Sequence, residues 1–537
     1  MAHLAHPILS PKAGQKIILL GNEAIVRGCL ESGIDFATAY PGTPSSEVPM
    51  AFHWIVNHGN APGIYFEYSI NEKVAFEAAA AAAFSGLTTI TSMKHFGLNV
   101  AADALMPVAY IGVKGGFVVM VADDPHCCSS AQSEQDTRHY ARMAHMPMFE
   151  PSDPQECKDF TKLAFELSRK HGMPVFLRTT TKVSHCRASL KIGKMKKGKR
   201  KGKFVKDFKR YNNLPPHTME MHERILAKMD KIRETFSEKT PINKVINGNT
   251  KSRVGIITCS SAYSFVMEAM AILGLKLPVL KIGFTWPLPE KRISAFIRKY
   301  GSILVAEELD PLLQKEVERL AKEANPRLKI YGKNGYLPRA DELDTEKLLL
   351  ALSMVLNKSD PIDIKAHCRT CSALNIPKRT PVLCPGCQHR ATFWSVKKTV
   401  GKDVIFGGDV GCYTLGVLPP HKMADTILCM GSGTGVSHGI SKATGQDTVA
   451  FIGDSTFFHA GMPEMMNTVY NKSNPMIVIL DNRWTAMTGH QPNPSTEING
   501  MGEKTKKPDL VAIAKALGVD NTAKIDPFRI KASTEAV

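Results

Sequence analysis

Asp454 and Asn482 stand at the ends of two apolar runs, at a spacing that suits the joint binding of a metal ion and a phosphate. The stretch from Val449 to Pro494 opens with VAFI and reaches Gly453-Asp454-Ser455; a second run, MIVIL, reaches Asp481-Asn482. Twenty-six residues separate Ser455 from Asn482, which accommodates a turn, a helix and a second buried strand. Both polar residues then fall at the carboxyl ends of parallel strands, where open α/β sheets bind ligands. Gly453 lets the backbone turn tightly and approach a phosphate. A carboxylate oxygen and an amide oxygen, completed by diphosphate oxygens and water, suit octahedral Mg²⁺. The plainer alternative is a βαβ unit in which Asp454 and Asn482 only cap and turn.

The elements that would position further polar groups begin near the amino terminus. Ile17 to Leu20 is an apolar run followed by a helical pattern to Leu30 and then Gly33. A strand at Phe36 to Tyr40 runs into Pro41-Gly42-Thr43-Pro44-Ser45-Ser46, a tight turn and helix start with Ser45 or Ser46 as cap and Glu47 in the first turn. Thr43 faces whatever binds at that strand end. Glu72 opens an alanine-rich helix, VAFEAAAAAAFSG, whose composition favours helix and whose small side chains allow close packing. A strand at Thr88 to Thr91 leads to a loop carrying Lys94 and His95. Another strand, Val118 to Val121, leads to Ala122-Asp123-Asp124-Pro125. Strands alternating with helices, and polar loops gathered at one edge, predict a doubly wound parallel sheet. Ser152-Asp153 caps a helix to His171, and Pro174 to Arg178 is the next strand. Arg253 to Cys259, Val279 to Ile282 and Ile303 to Glu307 form a second α/β unit ending near Leu356.

The 537 residues are 43% hydrophobic and 22% charged, an ordinary globular balance. No apolar run reaches the roughly 18 residues of a membrane span, and no signal peptide opens the chain. Twelve cysteines, several in CxxC pairs, point to a reducing, cytoplasmic setting and to ligand or redox chemistry. The net charge of +18 is concentrated between Lys191 and Arg210, where eleven Lys or Arg accompany one acid. That run lacks the fold or aromatic interleaving of a nucleic-acid site; a solvated linker or a contact for an acidic protein suits it better.

Between His367 and Arg390, Cys368/Cys371 and Cys384/Cys387 form two CxxC pairs twelve residues apart. On spacing alone they allow a Cys₄ zinc ribbon, and with the basic run, a nucleic-acid-binding protein. Two more loops, Gly407-Gly408-Asp409-Val410-Gly411-Cys412-Tyr413 and Met430-Gly431-Ser432-Gly433-Thr434-Gly435, sit at strand ends, the second with amides able to hold a diphosphate.

The GDS to Asn spacing resembles the thiamine-diphosphate signature. YPGTPSSEV, EYSINEKVAFEAAAAAAFSG, SMKHFGLNVAADALM, AYIGVKGGFVVMVADDP and SSAQSEQDTRHYA resemble the pyrimidine-binding domain of the 2-oxoacid:ferredoxin oxidoreductases, and most of all the large alpha subunits that act on indolepyruvate. The resemblance covers nearly the whole chain from Ile17. It implies an α/β protein of several doubly wound parallel-sheet domains, a thiamine-diphosphate-binding fold plus a transketolase C-terminal-like domain. It also implies that Glu72 hydrogen-bonds the aminopyrimidine, that Thr43 lines the substrate side, and that Lys94 and His95 face the thiazolium. Glu77 is left a structural role. Asp454, Asn482 and the backbone carbonyl of Trp484 are implied Mg²⁺ ligands. Gly431, Gly433, Gly453 and Ser455 are implied diphosphate contacts. Gly411 and Cys412 belong to the same cofactor site, as do Cys387 and His389 in LCPGCQHRATF, which resembles the family's CPGCPHR loop with Gln388 in place of its second proline.

The implied organisation is a flexible start at 1–16, a pyrimidine-binding domain at 17–190, a basic linker at 191–250, a transketolase C-terminal-like domain at 251–357, a CxxC linker at 358–376 and a diphosphate-binding domain at 377–537. Family alpha subunits continue through CxxCxxCxxxCP runs that hold [4Fe-4S] clusters. None occurs here, so an incomplete last domain without the cluster domain is expected. The implied activity is oxidative decarboxylation of aryl pyruvates, indolepyruvate above all, to aryl-acetyl-CoA, CO₂ and reduced ferredoxin. Its partners are a smaller beta subunit in a hetero-oligomer, ferredoxin and coenzyme A, with no membrane or nucleic acid. A non-oxidative thiamine-diphosphate decarboxylase uses the same residues without exporting electrons.

Overall fold

The computed structural model describes residues 6–59, 63–199, 201–359, 363–377 and 379–537. They divide into two compact units, one comprising the chain to Ser129 with Glu134–Asn375, the other Ser130–Ser133 with Ile376–Val537.

The first unit opens with β1 (Lys16–Leu20), α1 (Gly21–Ser32), β2 (Phe36–Ala39), α2 (Glu47–His58), β3 (Tyr65–Tyr68), α3 (Glu72–Phe84), β4 (Thr89–Lys94), α4 (His95–Ile111) and β5 (Phe117–Asp123). It continues through β6 (Met148–Phe149), β7 (Val175–Thr180) and β8 (Arg187–Lys191). Six of these strands lie parallel in the order β6-β7-β5-β4-β2-β3, and a seventh, β12 (Phe284–Trp286), adds antiparallel beside β6. Every residue of β4, β5 and β7 is buried, the mark of a parallel sheet covered on both faces. The alanines of α3 let it lie closely against α4 and the sheet.

Two expectations change here. The first apolar run, β1, is not a strand of this sheet but pairs antiparallel with β8 in a separate ribbon. The loop expected at Lys94 and His95 is absent: Lys94 ends β4 and His95 begins α4.

A second sheet, ordered β14-β13-β10-β11-β9, is built from β9 (Lys244–Ile246), β10 (Val254–Cys259), β11 (Val279–Ile282), β13 (Ser302–Ala306) and β14 (Lys329–Tyr331). Apolar clusters fill both of its faces. Because β9 precedes residue 251 and β12 joins the first sheet, the two α/β parts share one unit rather than meeting across a linker. The segment 191–250 also contains the helix His217–Ile232, whose buried Met221, Ile225, Met229 and Ile232 recur at helical spacing. The charge run before it masks that pattern in the sequence.

The second unit carries four parallel strands in the order β16-β15-β17-β18: β15 (Ile405–Gly408), β16 (Thr426–Ile427), β17 (Thr448–Gly453) and β18 (Met476–Leu480). Among the described residues no helix is long and apolar enough to cross a membrane.

Candidate functional site

In the first sheet the chain passes from β2 to β3 on one side, then returns to place β4 on the other side of β2. The crevice beyond β2 and β4 is therefore a topological switch point. The Pro41–Ser46 loop, the start of α3 and the start of α4 all gather there. A β-carbon on Gly42 would lie 2.9 Å from Lys94 Cβ, so the Thr43 loop rests directly on the end of β4. Asn22 holds that loop from below, its Nδ2 donating to Pro44 O and to Glu47 Oε2, each at 2.7 Å.

Glu72 is the first residue of α3 and is buried. Gly97, in the first turn of α4, leaves room for its carboxylate. Asn71 caps the helix by accepting from Val74 N at 2.9 Å. Glu77, by contrast, is exposed and paired with Lys73. Lys94 is buried, and its Nζ lies 3.2 Å from Asp124 Oδ2 and 2.9 Å from Ser129 O. Burial pushes the Lys94 ammonium pKa down, and Asp124 opposes that fall. Asp124 is itself fixed by Thr181 Oγ1 at 2.7 Å and Ser129 N at 2.9 Å. His95 is fully buried, its ring meeting Phe96 edge-on at 4.7 Å. The structure thus brings Thr43, Glu72, Lys94 and His95 to one end of the sheet. It adds Asp124 and Ser129, whose roles depend on contacts about thirty residues away in sequence.

The second unit has its own switch point between β15 and β17. Strands β17 and β18 run parallel with Gly453 opposite Leu480, so Asp454 and the Asp481-Asn482 pair emerge from adjacent strand ends. Asp454 is buried and accepts from Asn493 Nδ2 at 3.1 Å. Burial, with Asp481 nearby, pushes its carboxyl up to about 6. Asn482 Oδ1 accepts from Trp484 N at 3.1 Å, which folds the loop back on itself. Ser455 Oγ lies 2.9 Å from Thr485 Oγ1 and ties this loop to the end of β17. A buried carboxylate, an amide oxygen and a backbone carbonyl form a hard-oxygen donor set that fits Mg²⁺. A cation there would relieve the desolvated Asp454.

Gly453 is in extended conformation, φ −74° and ψ 159°, so it makes no special turn. Glycine is required there because a β-carbon would lie 2.8 Å from Cε1 of Tyr413. The Tyr413 ring also fills the space beside Gly411, and its hydroxyl donates to the buried Asp409. Gly431 does adopt a left-handed conformation, φ +94°, at the start of the helix Ser432–Thr444. Its amide donates to Asp409 Oδ2 at 3.1 Å. Gly433 lets that helix lie against Gly407 and Phe451 of β15 and β17. Around this helix start the amides of Ser432 and Thr434 donate to Cys429 O and Gly431 O, each at 3.1 Å. Glu464, absent from the sequence reading, accepts from Gly435 N at 3.3 Å, and burial pushes its carboxyl up to about 7. A π-helical turn at Phe457–Gly461 interrupts the helical stretch between Asp454 and Tyr470, a feature frequent at functional sites.

Cys387 is the amino-terminal cap of the helix Gln388–Thr399. His389, two residues on, is buried, and desolvation pushes its imidazole down to about 4, so it is neutral at physiological pH. Its ring stands edge-on to Tyr413 at 6.1 Å. Cys412 has its thiol raised by burial, with Cys387 and Cys384 adding to the shift. Cys368 and Cys371 are exposed on the helix Ile364–Ala373 and belong to the first unit, whereas Cys384 and Cys387 belong to the second. Among the described residues no group of three or more His, Cys, Asp or Glu is placed to hold a metal ion.

Residues 27–251 match the family model "Pyruvate flavodoxin/ferredoxin oxidoreductase, thiamine diP-bdg", and residues 409–537 match "Thiamine pyrophosphate enzyme, C-terminal TPP binding domain". The chain is 45% identical to indolepyruvate oxidoreductase subunit IorA of Methanothermobacter thermautotrophicus, over 99% of this chain and 85% of that one. It is 44% identical to the IorA subunit of Thermococcus kodakarensis, over 100% and 85%. The solved 2-oxoglutarate:ferredoxin oxidoreductase of Magnetococcus marinus aligns with a TM-score of 0.50 at 18% identity, covering 63% of this chain and 65% of that one; this likeness bears on the fold alone.

Proposed function

Because this chain belongs to the indolepyruvate oxidoreductase IorA family, thiamine-diphosphate-binding catalytic subunits of 2-oxoacid:ferredoxin oxidoreductases, we propose that it converts aryl pyruvates, indolepyruvate foremost, to aryl-acetyl-CoA and CO₂. Ferredoxin takes up the electrons, and a smaller beta subunit completes the enzyme. The observation that carries this reading is the parallel register of β17 and β18, which sets Asp454 and Asn482 side by side at a switch-point edge.

Thiamine diphosphate, when bound, supplies a nucleophilic carbon and an electron sink for decarboxylation. The roles assigned to the chain's own residues follow from their positions. Glu72, buried at the head of α3 and abutted by Gly97, hydrogen-bonds the aminopyrimidine ring. The Thr43 loop lines the substrate side. Lys94, held by Asp124 and Ser129, stands at the crevice to orient the 2-oxoacid carboxylate, with His95 beside it. In the second unit Asp454, Asn482 and the Trp484 carbonyl hold Mg²⁺, which anchors the diphosphate. Gly431, Gly433, Gly453 and Ser455 are the residues that would lie against the diphosphate. Gly411 and Cys412, with Cys387 and neutral His389, would form the wall beside the cofactor's thiazolium.

The test is coenzyme A-dependent reduction of ferredoxin by indolepyruvate, using this chain extended through the expected [4Fe-4S]-ligand runs and assembled with its smaller subunit. Glu72→Ala is expected to abolish turnover while circular dichroism stays unchanged. Normal turnover in that variant would overturn the assignment.

A further inference from the structure

The described residues of the run from Lys191 to Arg210 form a built surface rather than a free tether. Its backbone is fastened to the first unit: Lys196 N donates to Leu30 O, and Lys203 N to Ser85 O, each at 2.9 Å. Three glycines face inward where no side chain fits. A β-carbon would lie 2.5 Å from Glu31 Oε2 at Gly193 and 2.5 Å from Ser85 O at Gly202, and closer still to Asp35 Oδ1 at Gly198. With the glycines turned in, the lysines turn out: every described lysine from 194 to 209 is exposed. Further cations extend the face. Arg210 donates to Val113 O at 2.9 Å and Arg224 to Tyr110 O at 3.3 Å, and both, after burial, depress the Lys228 ammonium to about 8.

The ribbon's apolar content is as informative as its charge. Phe204, Val205 and Phe208 are 50%, 51% and 66% exposed. Aliphatic and aromatic side chains among lysines suit a protein interface with a hydrophobic centre and a charged rim. Nucleic-acid binding would call for stacking platforms along the run. Yet Val205 has no ring and Phe204 already packs against Tyr211 with centroids 4.9 Å apart, which leaves Phe208 as an isolated exposed ring rather than one of a series of platforms. The ribbon also crosses the residues just before β2, β4 and β5, at the edge opposite the Thr43 and Lys94 crevice. Six-residue β4 separates the two edges by about 20 Å. Something bound there leaves the crevice open, as befits a resident subunit rather than a substrate or a transient electron carrier.

We propose that the ribbon formed by residues 194–199 and 201–210 is the docking surface for an acidic face of the enzyme's smaller subunit. The proposal rests on the functional reading above only in naming that subunit. The test uses the full chain with Lys199, Lys201, Lys203 and Lys206 changed together to Glu, and in a second variant to Gln. Affinity for the purified smaller subunit is measured by calorimetry across a salt series. The Glu variant is expected to bind at least about tenfold more weakly with a flatter salt dependence, and the Gln variant to fall between it and wild type, because rim charges act through association rate and screening. Equal affinity and equal salt slope in all three proteins would overturn the proposal. So would unchanged subunit binding accompanied by lysine-dependent binding of a 20-nucleotide single-stranded DNA or of phosphatidylserine vesicles. Thiamine diphosphate titration on the same proteins reads the cofactor assignment separately, since none of these lysines is assigned to the cofactor.

Discussion

A β-carbon on Gly97 would lie 2.5 Å from Oε1 and 2.7 Å from Cγ of Glu72. The first turn of α4 is thus fitted around the carboxylate at the head of α3. Replacing Gly97 with Ala would ordinarily favour a helix by about 1 kcal/mol. Here the added methyl must displace Glu72, and a shift near 1 Å in a positioning group costs about 100-fold in rate. Gly97→Ala is expected to keep helicity and cut turnover about 100-fold, with overpacking against Glu72, at about 1–3 kcal/mol, offsetting the helix gain in thermal stability. Steady-state kinetics beside thermal unfolding checks it.

The Lys94–Asp124 pair is buried on both sides. Removing one partner leaves an uncompensated charge, at a cost of about 3–5 kcal/mol. Asp124→Ala should show that loss in urea unfolding, and adding Lys94→Met should recover most of it. The double variant should regain stability without regaining activity, which separates the structural part of the pair from its part at the crevice.

Tyr413 links the two glycine-bearing strand ends of the second unit through its ring and its hydroxyl. Tyr413→Phe keeps the ring and removes the donor to Asp409. Leaving that buried acceptor short of a partner should cost about 1–3 kcal/mol. Denaturant unfolding is the measurement, and a stability equal to wild type would mean the hydroxyl contributes nothing.

Glu308 is fully enclosed, contacted by Ser261 Oγ at 3.1 Å and Leu343 N at 3.0 Å, and burial lifts its carboxyl from the ordinary 4.5 to about 7. Between those values the folded chain keeps a proton that the unfolded chain has released. Raising pH across that window therefore lowers stability, by up to about 3 kcal/mol, with the loss complete above pH 7. Glu308→Gln should flatten this part of the stability–pH curve and leave the protein more stable than wild type at pH 8.

Much of this was legible in the sequence, for reasons of length and periodicity. The interval from Ser455 to Asn482 reads as a parallel pair because a crossover helix and two buried strands have nearly fixed lengths, and β17 and β18 form that pair. Glu72 was legible as the head of an alanine-rich helix. What could not be read depended on distant partners. Gly453 looked like a turn residue, but the Tyr413 ring is what excludes a side chain there. Lys94 read as a loop cation, whereas β4 runs on to include it and Asp124 anchors it. The only local hint of Asp124 was the acid pair at the end of an apolar run. Glu464 and Asn493 gave no signal short of the folded unit. The helix His217–Ile232 was hidden because the lysine run before it dominates the local composition.

The central claim is that Asp454 anchors a metal-bound diphosphate, and calorimetric titration of thiamine diphosphate tests it most directly. The titration is run with and without Mg²⁺ on the assembled enzyme, for wild type and Asp454→Ala. The expected result is tight binding that requires Mg²⁺ in wild type and is lost in the variant, whose unfolding transition stays intact. Equal, Mg²⁺-dependent binding in both proteins would contradict the account and move the metal site elsewhere.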